Sequence, residues 1–349
     1  MGDAARDPRQ DAAQEVPAPG PADLAWGATW PRLEAFRDLA RQRRVIPVVR
    51  RLLADDVTPV GLYRTLAQGR PGTFVLESAE VDGTWARYSF VGVRSRATLT
   101  VADGEATWTG DVPVGVPRSG DVLDVLGETL EVLRTPAIAG LPPLTGGLVG
   151  AMGWDVVRHW EPTLPAKAPD ELGVPELTLC LATDLAVVDH VDGSVWLIAN
   201  AINFDATDQR VDEAHADAVG RLDAMQAALA EPVHVPPAVL GDGPEPELEF
   251  RTSREDFEDA VRAGKEAIRE GEVFQVVLSQ RLDLECPAEP LDVYRVLRTI
   301  NPSPYMYCFQ LQDAAGHDFA VVGSSPETLV KVTDGRVLTY PIAGSRPRG

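Results

Sequence analysis

Three polar side chains fall on alternating positions of the segment Phe274–Leu282, which reads FQVVLSQRL. We predict a strand over Val273–Leu284, because the segment is rich in β-branched and aromatic residues. Side chains alternate across a strand, so Gln275, Ser279 and Arg281 would share one face, opposite a mostly apolar face. An amide, a hydroxyl and a guanidinium suit a pocket for a polar ligand. The solvent side of a half-buried strand explains the same pattern.

A glutamate follows a run of small residues in Gly323–Leu329, which reads GSSPETL. Small residues permit a tight turn that would present Glu327 between two strands. A carboxylic acid held there can protonate a leaving group if burial raises its pKa. Taken by itself, the segment favours the simpler interpretation of an ordinary loop glutamate.

The last nine residues, 341–349, read PIAGSRPRG. Gly344 would let a ligand approach the backbone, where N–H groups and the Ser345 hydroxyl can bind an anion. Arg346 and Arg348 add positive charge suited to carboxylates. The alternative is a flexible basic tail. The hydrophobic strand that we expect just before this segment argues against that alternative.

These segments need strands and helices to position them, and the pattern predicts an α+β fold. Helical spacing or capping signals predict helices over Leu33–Ala40, Val122–Leu133, Asp208–Leu229, Ser253–Gly271 and Leu291–Ile300. Short β-branched or aromatic runs predict strands at Thr73–Ser78, Thr84–Val93, Ala97–Val101, Ala106–Thr109, Gly147–Trp154, Leu177–Asp189, Val195–Asn200, Tyr305–Leu311, Phe319–Gly323, Thr328–Val332 and Val337–Pro341. Strands and helices that do not alternate regularly favour α+β over a doubly wound sheet.

Composition divides the chain into regions and excludes some functions. Residues 1–29 read as a disordered leader, 30–230 as one domain, 231–250 as a Pro- and Glu-rich linker, and 251–349 as the N-terminal part of a second domain. A formal charge of -21 argues against nucleic-acid and anionic-membrane surfaces. The leader lacks the apolar core of a signal peptide, and no apolar run could span a bilayer, so we expect a cytoplasmic protein.

Together, in this order and spacing, the three segments resemble the chorismate-binding family, which includes anthranilate, aminodeoxychorismate, isochorismate and salicylate synthases. The resemblance implies that Glu327 is the general acid for loss of the ring hydroxyl. It also implies that Gly344 and Ser345, with Arg346 beside them, contact the substrate carboxylate. This chain has serine where threonine is usual, which keeps the hydroxyl.

Two positions distinguish the members of this family. Isochorismate and salicylate synthases carry a lysine at the position of Gln275 to activate water, and a glutamine cannot serve as that base. Aminodeoxychorismate synthases carry a nucleophilic lysine at the position of Ala343, and an alanine cannot form the covalent intermediate. Glutamine with alanine is the anthranilate synthase combination, in which ammonia adds directly to the ring.

Further segments resemble the site at which tryptophan inhibits the large subunit of anthranilate synthases. They are Leu76, Glu77 and Ser78; Arg87 and Tyr88; and Asn301, Pro304, Tyr305 and Met306. The resemblance implies contact between the first and last groups. A small amino acid needs a carboxylate or carbonyls for its ammonium, N–H groups for its carboxylate and an apolar slot for its ring. A buried strand and a Pro-rich turn account for either segment alone.

The resemblance also implies a hetero-oligomer with a glutamine amidotransferase subunit that supplies ammonia, and a Mg²⁺ ion that holds the ring carboxylate. In the family the metal-binding glutamates come after the PIAG segment, at positions that would lie beyond Gly349. We therefore expect the second domain to be cut at Gly349, with no metal ligand in this chain and no synthase activity from it alone. Two alternatives stay open: a non-catalytic tryptophan-binding module, and an aminodeoxyisochorismate synthase-type enzyme that retains the enolpyruvyl group.

Overall fold

The computed structural model describes residues 20–79, 87–102, 104–164, 169–231, 237, 241, 246–333 and 335–342. Its helices are α1 (Leu33–Ala40), α2 (Pro59–Leu62, continued by a π turn over Tyr63–Ala67), α3 (Val122–Leu133), α4 (Val211–Ala230), α5 (Arg254–Glu270) and α6 (Pro290–Ile300), with short 3-10 turns at Pro21–Asp23 and Trp154–His159.

The strands up to the predicted linker are β1 (Thr29–Trp30), β2 (Val45–Leu53), β3 (Thr73–Glu77), β4 (Tyr88–Ala102), β5 (Glu105–Gly110), β6 (Ser119–Asp121), β7 (Gly147–Met152), β8 (Leu177–Asp189) and β9 (Ser194–Ile202). Those after it are β10 (Glu249–Phe250), β11 (Leu282–Asp283), β12 (Tyr305–Gln312), β13 (Asp318–Ser325), β14 (Lys331–Thr333) and β15 (Arg336–Leu338). Strands and helices do not alternate as in a doubly wound sheet, which confirms the predicted α+β class.

One 11-stranded antiparallel sheet dominates the molecule, with the main order β1-β2-β9-β8-β4-β3-β12-β13 and with β5, β6 and β7 attached at its side. Strands β12 and β13 come from the predicted second domain, yet β12 pairs with β3 from the first. Strands from both sides of the predicted linker therefore share one sheet. The linker itself falls largely outside the described residues, and the boundaries at 29, 230 and 250 stay predictions.

The predicted end of the second domain, at Gly349, also falls outside the described residues, since the structure describes the chain only as far as Ile342. The last described strand is β15, which ends at Leu338. The expectation that Gly349 cuts the domain short is therefore not tested by the structure and stays a prediction.

Local signals placed several elements correctly. Helix α3 has the predicted bounds, with the Asp121 carboxylate accepting from the Leu123 amide at 2.9 Å. The Ser253 hydroxyl caps α5 by accepting from the Asp256 amide, and Gly271 ends that helix in the left-handed conformation, at φ 81°. These devices satisfy the free amides and carbonyls of helix ends without help from the rest of the fold.

The predicted strand over Val273–Leu284 is wrong, because only Leu282 and Asp283 pair, in a two-stranded ladder with β10. A strand requires a hydrogen-bonded neighbour, and no other described segment pairs with this one. Its expected apolar face is also uncovered, since Phe274 is fully exposed. Other strand predictions were partly wrong. The strands predicted at Thr84–Val93 and Ala97–Val101 form one bulged strand, β4. Those predicted at Thr328–Val332 and Val337–Pro341 are only the three-residue strands β14 and β15.

Burial differs sharply between the main sheet and the segment 246–284 that precedes α6. The sheet is packed on both faces, with Val48, Leu197 and Tyr294 in one cluster and Phe74 and Ile198 in another. Helix α5 buries no residue although it is amphipathic. The apolar stripe of α5 is therefore only partly covered, with Phe257 and Val261 half-buried and Ile268 exposed.

Candidate functional site

Glu77, predicted to lie in the inhibitor site, is a buried carboxylate at the end of β3. The Tyr294 hydroxyl donates to its Oε2 atom at 2.6 Å, and the Arg298 guanidinium lies 3.2 Å from its Oε1 atom. Burial raises the pKa of Tyr294, and the neighbouring Glu77 raises it further, so the phenol stays protonated as the donor. A buried carboxylate needs such partners, and α6 supplies both.

Sequence reasoning missed Tyr294 and Arg298. The signal was present, because Leu291, Tyr294 and Arg298 lie three and four residues apart on α6 and so share one helix face. Leu291 and Tyr294 are both buried there. The approach of this face to Glu77, 217 residues away for Tyr294, is a tertiary fact that helical spacing does not give.

The structure brings the first and last groups of predicted inhibitor-site residues together through backbone pairing. Met306 lies opposite Glu77 and Tyr307 opposite Leu76 in the β3–β12 ladder. Two residues after the end of β3, the Ala79 amide donates to the Ser303 carbonyl at 3.1 Å.

Side-chain contacts at this junction leave one buried hydroxyl free. Ser324 on β13 bonds the Asn301 carbonyl at 2.6 Å and the Ser303 hydroxyl at 2.8 Å, which fixes the turn before β12. Pro304 is half-buried, and Tyr305 is 39% exposed. The Ser78 hydroxyl is buried and has no hydrogen-bond partner among the described residues. An unpartnered buried hydroxyl at the end of the β3–β12 ladder is a candidate contact for a polar ligand.

Arg87 and Tyr88 lie near the same end of the sheet, because Leu76 pairs with Phe90 two residues further along β4. Arg87 is committed to structure: its guanidinium binds the Asp189 carboxylate at 2.8 Å and lies 4.7 Å from the centre of the Tyr88 ring. The hydrogen bonds that Arg87 donates to Asp189 raise the pKa of Arg87. The three predicted groups thus lie at one end of the sheet, where the Arg87 guanidinium is paired with Asp189.

The predicted catalytic segments meet at one described contact. The Gln275 side chain donates through Nε2 to the Ile342 carbonyl oxygen at 3.2 Å, so its amide lies beside the start of the PIAG segment. Gly344, Ser345 and Arg346 lie outside the described residues, and their predicted role in binding the substrate carboxylate stays a prediction.

Glu327 is half-buried in a turn that the preceding serine organises. The Ser325 hydroxyl donates to the Glu327 carbonyl at 3.0 Å and accepts from its amide at 3.4 Å. This local turn follows β13 directly, as the small residues before Glu327 predicted. The general-acid role of the carboxyl group stays a prediction.

Arg281, predicted to share the polar face with Gln275, forms ion pairs instead. Its guanidinium contacts Asp283 at 2.7 Å and Glu171 at 3.0 Å, and Arg251 joins the same two carboxylates. The hydrogen bonds that Arg281 donates to Asp283 raise the pKa of Arg281. These pairs tie β11 to the loop around Glu171.

The described residues contain no group of three or more His, Cys, Asp or Glu side chains that could hold a metal ion. They therefore offer no set of ligands that fits Mg²⁺. The placement of the metal-binding glutamates beyond Gly349 stays a prediction, because Gly349 and the six residues before it are not among the described residues. In the part of the chain that the structure describes, no helix is both long and apolar enough to cross a bilayer.

Comparison with known proteins identifies similar sequences and a similar fold. A family profile described as chorismate binding enzyme matches residues 73–349. The chain is 56% identical over 329 residues to anthranilate synthase component 1 of Arthrobacter globiformis, covering 93% of this chain and 61% of that protein. It is 38% identical over 327 residues to the protein of the same name from Pseudomonas aeruginosa, covering 91% of this chain and 63% of that protein.

A crystal structure of anthranilate synthase component I from Streptococcus pneumoniae superposes with a TM-score of 0.55 at 26% identity, covering 74% of this chain and 54% of that one. The chain thus spans about three fifths of the length of the curated relatives it matches. By the profile match over residues 73–349, the chain belongs to the chorismate-binding enzyme family.

Proposed function

We propose that this chain is part of the large subunit of an anthranilate synthase, which converts chorismate and ammonia to anthranilate and pyruvate. The observation that carries the proposal is the contact of Gln275 with the Ile342 carbonyl, one residue before Ala343. An amide that binds this backbone can orient a substrate or ammonia but cannot remove a proton from water. An alanine next to it offers no nucleophile.

Glu327 is the proposed general acid. Protonation of the departing ring hydroxyl needs a carboxylic acid that is held in place, and the Ser325 hydroxyl fixes the backbone on both sides of this residue's Cα. The predicted Mg²⁺ ion is not assigned a step, because the described residues do not fit it.

The test uses the full-length protein encoded by the gene, assayed with chorismate, ammonium and Mg²⁺ for anthranilate fluorescence and for pyruvate. We expect both products, and a loss of turnover of about a hundredfold or more in Glu327→Gln, since general-acid catalysis contributes factors of this size. Asp318→Asn, at the start of the strand β13 that leads into the Glu327 turn, is the matched control. Formation of a product that retains the enolpyruvyl group would instead indicate an aminodeoxyisochorismate synthase-type enzyme.

We further propose that the 349-residue chain alone is inactive. Helix α5 buries no residue and Phe274 is fully exposed, so the segment around Gln275 lacks a packed environment that would hold a substrate. The same assay applied to the purified chain should give no anthranilate above background. Turnover by this chain would overturn this part of the proposal.

A second proposed function is binding of tryptophan as a feedback inhibitor at the β3–β12 junction. The observation that favours it is the buried, unpartnered hydroxyl of Ser78, the residue that follows the buried Glu77 in sequence. Calorimetry with tryptophan should show binding that weakens in Ser78→Ala and persists in Ser89→Ala, whose hydroxyl already contacts His190 at 2.7 Å. Equal affinity in both variants would refute the site, and binding without any synthase activity in the full-length protein would favour the regulatory module.

The partner in this proposal is a glutamine amidotransferase subunit that supplies ammonia. Component 1 in the names of the relatives supports a two-component enzyme. The three cysteines are free, which suits the reducing cytoplasm proposed here. Glutamine-dependent anthranilate formation only after the second subunit is added would be the expected result.

A further inference from the structure

A cavity of about 520 Å³ lies on the side of the main sheet that faces α1 and the start of α4. Its walls come from α1, the start of β2, the strands β4 and β5, the loop before β6 and the loop after β9. None of the residues predicted for the chorismate or tryptophan sites lines it. Its volume is sufficient for a small organic molecule.

Arginines dominate this cavity although the protein as a whole is strongly acidic. Arg43 donates to the Thr135 hydroxyl at 3.0 Å and to a backbone carbonyl. Arg44 donates to the Asn203 carbonyl at 2.9 Å and to the Val114 carbonyl. All four acceptors are neutral oxygens, so these hydrogen bonds neutralise neither positive charge, and Asp205 acts on Arg44 only through its electrostatic field. Burial lowers the pKa of Arg44, as expected for a cation removed from water.

Two more arginines complete the cationic wall. The Arg96 Nε atom is buried and has no hydrogen-bond partner among the described residues, while its guanidinium lies 5.3 Å from the centre of the Phe204 ring. Arg118 lines the cavity from an exposed position and forms no ion pair with a described residue. A buried donor without an acceptor is costly, and the Arg96 side chain that carries it is among those that line the cavity.

The acidic side chains at the cavity are largely engaged elsewhere. Glu213 is 2.7 Å from Arg210, and Asp217 is 3.0 Å from Arg221. Asp205 accepts from the amide and hydroxyl of Thr207, each at 3.0 Å. The hydrogen bonds from Thr207 do not neutralise Asp205, so among the described lining residues the carboxylates of Asp111 and Asp205 remain against Arg43, Arg44, Arg96 and Arg118. The local balance therefore favours a ligand with more than one negative charge.

We propose that this cavity binds a small aromatic phosphate monoester, with its phosphate held by Arg96 and Arg118 and its ring against Phe204 and Val112. A phosphate monoester carries about two negative charges at neutral pH and offers three acceptor oxygens, which match the planar N–H donors of guanidinium groups. The aromatic and aliphatic side chains of the wall suit a ring rather than a second charged group.

The test is calorimetric titration of the purified chain with phenyl phosphate, inorganic phosphate and benzoate at one ionic strength. We expect saturable binding of phenyl phosphate, and weaker binding of inorganic phosphate because it lacks the ring. Benzoate should bind most weakly because it carries only one negative charge, against about two for a phosphate monoester. Arg118→Ala should weaken phenyl phosphate binding about tenfold or more, the effect of losing a hydrogen bond to a charged group. Arg41→Ala is the matched control, since Arg41 is exposed and does not line the cavity.

Arg118 is exposed, so its replacement should leave the fold intact, which circular dichroism will verify. Absence of saturable binding up to about 10 mM phenyl phosphate, a concentration that detects even weak affinity, would overturn the proposal. Equal affinities in Arg118→Ala and Arg41→Ala would also overturn it, as would benzoate binding as tightly as phenyl phosphate. Synthase activity plays no part in these readouts, so this proposal and the proposed function fail independently.

Discussion

Removal of the Tyr294 hydroxyl tests whether α6 stabilises the fold through the buried Glu77 carboxylate. Tyr294→Phe deletes the donor that lies 2.6 Å from Glu77 Oε2 and leaves the ring in place. Both side chains are buried, so water cannot replace the lost donor. Hydrogen bonds to charged groups contribute about 1.5–3 kcal/mol, and Arg298 still contacts the other oxygen at 3.2 Å. We therefore expect the free energy of unfolding to fall by about 2 kcal/mol.

Tyr63 supplies a matched control, because it is equally buried and its hydroxyl lies 3.0 Å from the uncharged Thr73 hydroxyl. A neutral hydrogen bond contributes about 1 kcal/mol, so Tyr63→Phe should destabilise the protein about half as much. The assay is urea unfolding followed by tryptophan fluorescence and far-ultraviolet circular dichroism. If Tyr294→Phe costs no more than Tyr63→Phe, the charged hydrogen bond does not stabilise the junction and the reasoning is refuted.

Three further predictions test packing, electrostatics and exposed surface. Gly92→Ala should lower the free energy of unfolding by about 1–3 kcal/mol, because its Cβ would lie 2.2 Å from the buried Phe74 ring, whereas Gly220→Ala, with open space around it, should be neutral or stabilising in the same urea assay. Hydrogen bonds from the backbone amide and the imidazole of His317 lower the pKa of Asp313 in the folded protein. Its ionised carboxylate therefore stabilises the fold above the usual pKa of about 3.8, and this contribution is lost as the pH falls through the lowered pKa of the folded state. Thermal melts from pH 6 to 3 should therefore show a shallower acid loss in Asp313→Asn than in wild type, and parallel curves would contradict this. Phe274→Ser should reduce self-association in light scattering without lowering the unfolding midpoint, because the side chain is already fully exposed, and unchanged association would show that this surface is not responsible.

The sequence by itself determined the elements whose signals are local. The Asp121 and Ser253 caps fix helix starts through bonds that span two or three residues, and Gly271 ends α5 because glycine adopts a positive φ without strain. The hairpin between β8 and β9 was predictable from Asp192-Gly193 for the same reason. The family resemblance also came from the sequence alone, since it depends on residue types in order.

Only the tertiary structure decided which distant segments pair. A strand forms only when its backbone is hydrogen-bonded to a neighbouring strand. The segment Val273–Leu284 stays mostly unpaired because, among the described residues, only β10 pairs with part of it. By contrast, β12 pairs with β3 across more than 200 residues of sequence. The partners of Glu77 followed from that pairing, because docking β12 on β3 brings α6 over the end of β3. Residue types and spacing specify which groups seek partners, but long-range packing decides which partners they obtain, because contacts between distant residues depend on how all the elements assemble.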